Sequence, residues 1–180
     1  MTEFETKLGE DLHRYLKSEK LVDEKLPECP DLEELWHSLE EAYLPDGIRE
    51  FNEYPNVSLG WMMFIGMAFA FYWDVDWEKY SKETVEQLYK GLRDAKGYDN
   101  MDDYILKELL NLPEEEAEKM SGVVGECAAR TFHALHHAGL EPGTKEAALA
   151  YVDALHQLYL MGIALELNNL GYHMTLLGQN

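Results

Sequence analysis

The chain reads as an all-α protein: one domain over residues 1–180, a bundle of about seven helices around a buried apolar central helix at residues 57–73. Three observations predict this. Residues 57–73 carry no formal charge, in a chain of 180 residues with net charge −20. A helix that is apolar on every side must be buried. Elsewhere apolar residues recur at helical spacing, and no run alternates apolar and polar residues as a half-buried strand would. Six prolines and thirteen glycines are few for this length, which favours long elements over many short ones.

The elements follow in order. Phe4, Leu8, Leu12, Tyr15 and Leu16 make the stripe of a first helix. Pro30 suits a first helical turn and precedes Leu32, Leu35, Trp36, Leu39 and Tyr43, and Pro45 is expected to end that helix. Residues 46–54 form a loop or short helix. Pro55 leads into the central helix, with Asn56 or Ser58 as its cap. Ser81 is the expected cap for Val85, Leu88, Tyr89 and Leu92, with Gly97 near that helix's end. Asp99 or Asn100 would cap Met101, Ile105, Leu109 and Leu110. Pro113 with Glu114, Glu115 and Glu116 starts a helix, because acids favour the positive helix end; it runs to Ala138 and stops at Gly139. Thr144 caps the last helix, which runs from Lys145 towards Leu177 with Gly162 or Gly171 as bending points.

Charge divides the chain. Residues 1–56 hold 22 charged side chains, residues 74–120 hold 21, and residues 121–180 only seven. The charged tracts should cover the outside. The charge-poor final helix predicts self-association, because two copies can bury what one cannot. The acid excess opposes binding to a nucleic-acid backbone, which needs basic patches. The apolar stretch is short for a membrane span and is flanked by Glu50, Glu53, Asp74, Asp76 and Glu78, with no orienting cluster of Lys or Arg. A buried core helix is therefore expected, not a membrane span. Cys29 and Cys127 form no paired motif, and the N-terminus lacks a basic-then-apolar leader, so a cytoplasmic protein is expected.

Several polar groups are candidates for chemistry. Glu10 with His13 and Glu34 with His37 match the E-x-x-H spacing of di-iron bundles, but both pairs lie opposite their apolar stripes and should face solvent. Glu126, Arg130, His133 and His137 share one helical face, opposite Val124, Cys127, Ala128, Thr131 and Leu135. His133 and His137 have chelating spacing, yet Arg130 in the same stripe opposes a second cation, so no metal site is assigned. Cys127, on the apolar face, reads as core.

In the last helix Val152, Leu155, Tyr159, Ile163, Leu170 and Leu177 form a stripe with Glu166 inside it and Asn169 and His173 at its edge. A carboxylate among core positions must find a partner or become neutral. Arg130 is the expected partner, with His133, His137 or His156 as alternatives. The predicted constellation is Glu166 and His173 as acid–base candidates, with Arg130, His133, His137 and Asn169 as ligand-binding residues. The same groups also suit a buried network that fixes helix register. No cofactor motif occurs: there is no phosphate-cradling loop, dinucleotide fingerprint, nucleophile elbow or H-E-x-x-H. Three functions remain. The first is a self-associating, non-enzymatic interaction or scaffold module, which the sequence favours. The others are a small-molecule binder or enzyme at the Glu166 site, and an acidic mimic of nucleic acid that binds a basic protein.

Overall fold

A computed structural model describes residues 1–173. Among these residues the fold is all helical, with no strand. Its elements are α1 (Glu3–Ser18), α2 (Pro30–Glu33), α3 (Trp36–Glu53), α4 (Pro55–Tyr80), α5 (Val85–Asp94), α6 (Met101–Asp103), α7 (Glu114–His136) and α8 (Lys145–Asn169). A 3₁₀ turn, Tyr98–Asn100, leads into α6, and a π-helical stretch, Tyr104–Leu109, follows it. Leu177 lies outside the described residues.

The expected central helix is there, and it is longer than its charge-free part. α4 is buried on all sides from Met62 to Ala70. Its helical path breaks at Asp76, where the backbone turns extended (φ −166°, ψ 76°). The Asp76 carboxylate then accepts a hydrogen bond from the Lys79 amide (3.2 Å) and caps one further turn.

α8 is a second central helix, which the single stripe read from sequence does not anticipate. Residues 161–167 are all buried. α4 and α8 run parallel: Ser58 meets Tyr151 at one end (2.5 Å), Gly66 meets Gly162 in the middle, and Asp74 meets Tyr172 at the other end (2.6 Å). Gly162 does not bend α8. It lets the two backbones touch, since a Cβ there would lie 2.1 Å from the Met63 carbonyl oxygen. A Cβ at Gly66 would lie 2.4 Å from the Tyr159 carbonyl oxygen. Both helices are long and apolar enough to cross a bilayer by length and composition, and most of each apolar stretch is buried against the rest of the chain.

α7 runs back antiparallel to α8: its start meets the end of α8 where Asn169 reaches Met120, and its far end meets α3 where Phe132 packs near Phe51. α1 lies along α8, tied by Thr2 to Asp153 (2.9 Å) and Glu5 to Gln157 (2.9 Å). α7 and α8 are joined through Gly139 and Gly143, both at positive φ (72° and 82°).

Four local expectations are corrected. Pro45 does not end its helix; α3 passes through it. Proline removes one intrahelical hydrogen bond, but the flanking backbone is tied down by tertiary bonds. Ser58 Oγ donates to the Gly47 carbonyl (2.8 Å), Tyr43 Oη donates to the Ser58 carbonyl, and Asp46 accepts from Tyr89 Oη (2.7 Å). Ser58 is therefore a buried tie and not a cap; Tyr54 occupies the N-cap position of α4. Residues 34 and 35 interrupt the expected helix between α2 and α3. Thr84, not Ser81, caps α5, through a reciprocal capping box with Gln87 (3.1 and 3.0 Å).

Candidate functional site

The predicted site residues fall into two groups at different places. Glu166 is buried, with 4% of its surface exposed, as its position within the stripe requires. Of its expected neighbours, Asn169 is in place and the cationic partner is not. Asn169 Nδ2 donates to Glu166 Oε1 (3.3 Å), and Asn169 also reaches the Met120 sulfur (3.8 Å). Burial is the main cause that pushes the Glu166 carboxyl up to about 7; the Asn169 hydrogen bond opposes this, and the Asp74 charge adds to it. His173 sits nearby in sequence but turns to other partners, Asp23 (3.2 Å) and Asn168 (3.1 Å). Trp73 donates to Asp31 (3.0 Å) and packs against Tyr172 (5.6 Å between centroids), so this end of the bundle gathers carboxylates and aromatic rings.

Arg130 does not reach Glu166. Its Nε donates to Glu126 (2.9 Å), its Nη1 to Asp11 (3.3 Å), and its guanidinium lies over the Tyr15 ring (4.8 Å). The physical reason is axial distance. Asn169 touches α7 at Met120, and Arg130 is ten residues further along α7, about 15 Å away. Arg130, His133 and His137 instead line an open groove of about 590 Å³ between α1 and α7, with Glu3, Lys7 and Asp11. The alternative partner His156 is also taken elsewhere. The combined acid–base constellation predicted from sequence is therefore not assembled.

The sequence reading missed a second buried carboxylate. Glu5 is 5% exposed; its Oε1 accepts from Gln157 Nε2 (2.9 Å) and meets His156 Nδ1 (2.5 Å). Trp36 covers the His156 ring (5.0 Å between centroids). The signal was available: Glu5 stands in the buried register of Leu8, Leu12 and Leu16. This cluster ties α1 to α8, and it satisfies a carboxylate that would otherwise be costly to bury.

Glu10, Glu34 and His37 are exposed, and His13 is half-buried against the Asp23 carbonyl (3.1 Å). Cys127 is fully buried, and burial pushes its thiol up to about 12, so little thiolate forms near neutral pH.

A third feature is an apolar groove of about 370 Å³ where α3, α7 and the start of α8 meet. Phe51, Phe132, Leu135, Leu140, Pro142 and Tyr151 line most of it. Phe51 packs on Tyr151 (4.7 Å) and edge-on to Phe132 (6.3 Å), so its floor is an aromatic cluster fixed by core contacts. Leu140 on its rim is 38% exposed; Ile48, one turn before Phe51 on α3, and Tyr54, between α3 and α4, are 51% and 60% exposed. No protein-family model, curated protein or solved structure matches the chain.

Proposed function

We propose that the protein is a helical interaction module that pairs with a second copy of itself through the apolar groove of α3, α7 and α8. The observation that carries this reading is where the groove lies. It opens on the tract 121–180, which holds seven of the chain's charged side chains, while the acid that gives the molecule its charge of −20 lies mostly elsewhere. Two such molecules repel each other, and the repulsion is least where fixed charge is sparsest. Leu140 projects at the rim of a depression floored by aromatic rings, and a two-fold contact can set such a projection into such a recess on the partner copy. The rest of the acidic surface would then limit growth beyond the pair.

Sedimentation tests this reading directly. The dimer fraction should rise with protein concentration, and it should rise further between low and high salt, because screening weakens like-charge repulsion. Capture of a basic partner would show the opposite salt dependence. Leu140→Glu should leave the helical content unchanged and return the protein to monomer. A wild-type protein that stays monomeric at high concentration and high salt rules the reading out.

A further inference from the structure

We propose that His133 and His137 form a two-histidine chelate for a divalent first-row transition ion such as Zn²⁺, at the mouth of the groove between α1 and α7. The proposal concerns a different surface from the apolar groove and does not rest on self-association.

Three observations converge on this pair. The first is position. One helical turn separates the two residues, which puts their Cβ atoms about 5–6 Å apart on one face. Their ring centroids are 4.3 Å apart, and both rings line the same groove. Two imidazoles at this spacing on a helix can reach one zinc ion with nitrogen–metal distances of about 2.0–2.1 Å. The rings must swing apart slightly to admit the ion. Both are exposed, and exposed side chains change rotamer readily.

The second observation is that these rings are free while others are engaged. His13 meets a carbonyl oxygen, and His37, His156 and His173 each meet a carboxylate. Among the described residues, no hydrogen bond or ion pair occupies His133 or His137. His136 packs against Phe132 (6.2 Å) and lines the apolar groove, with its ring edge-on to His137 (5.1 Å).

The third is that the neighbouring cations are already matched. Arg130 would repel an ion if its charge were open to the groove, as the sequence suggests. Its guanidinium is instead held by Glu126 and Asp11 and stacked on Tyr15. Lys7 is paired with Glu3 (2.8 Å). The immediate surroundings are therefore close to neutral, and the molecule's charge of −20 favours a cation. Imidazole suits zinc, copper and nickel, not the hard cations that prefer oxygen. Among the described residues no third His, Cys, Asp or Glu joins the pair, so water completes the coordination and the ion is exchangeable.

Calorimetric titration of the full chain with ZnCl₂ alone provides the test. One ion should bind per chain. His133→Ala and His137→Ala should each weaken binding by about ten-fold or more, and His136→Ala should leave it unchanged. Both ligands are exposed, so the variants should keep wild-type helicity by circular dichroism. The proposal fails if the wild-type protein takes up no zinc. It also fails if the double variant binds as tightly as wild type, or if His136→Ala loses as much affinity as the other two.

Discussion

At the scale of single residues, Glu166 makes the sharpest energetic statement. Its carboxyl ordinarily titrates at 4.5, and burial moves it to about 7. Below pH 4.5 the folded and unfolded chains both hold the proton, so no stability is lost. Between pH 4.5 and 7 the unfolded chain releases a proton that the folded chain keeps, and stability falls as pH rises. Each pKa unit is worth about 1.4 kcal/mol, so the full loss above pH 7 is about 3 kcal/mol. Glu166→Gln keeps the shape without the charge. Its thermal midpoint should match wild type at pH 4 and exceed it by several degrees at pH 8. Equal midpoints at pH 8 would show that the carboxylate is not desolvated. The helical wheel reveals such residues but not their partners on other helices. It puts Glu166 in a buried register and would have put Glu5 there too. It also puts Asn169, three residues on in the same helix, beside Glu166. It cannot show that His156 and Gln157 answer Glu5, because that pairing depends on how far α1 slides along α8.

At the scale of elements, the glycines separate close packing from mere tolerance. Gly66 and Gly162 have another helix's backbone where a Cβ would be, whereas Gly91 in α5 and Gly122 in α7 have nothing within 4 Å. Alanine gains about 1 kcal/mol over glycine in an open helix. Gly91→Ala and Gly122→Ala should therefore raise stability by about 0.5–1 kcal/mol in urea unfolding. Gly66→Ala and Gly162→Ala must push two backbones apart, and overpacking costs about 1–3 kcal/mol or more, which outweighs that gain. Stabilisation by either of the latter would contradict the crossing. Helices and their rough limits were legible from periodicity, as were the Thr144 cap and the Pro113 start. Pro45, Ser58 and Thr84 show the limit of such reading. Pro45 is overridden by ties from its neighbours Gly47 and Asp46 to Ser58 and Tyr89, which lie 13 and 44 positions beyond it in the chain. No local rule reports such bonds.

At the scale of the whole molecule, the charge-free tract indicated what must be inside but not what lies beside it. α4 finds its main neighbour in α8, parallel to it, and the intervening helices carry the chain back along α7. The charge-poor C-terminal third thus serves two ends: its middle packs the core, and its α7–α8 end leaves the apolar groove open. Native-state hydrogen exchange tests this central placement most directly. Amides of residues 63–67, at the crossing with Gly162, should exchange only through global unfolding, with an opening free energy equal to that from denaturant titration. Amides of residues 77–80, beyond the break at Asp76, should open far more easily. Exchange at residues 63–67 through a local opening well below the global value would mean that α4 is not the sequestered core of this fold.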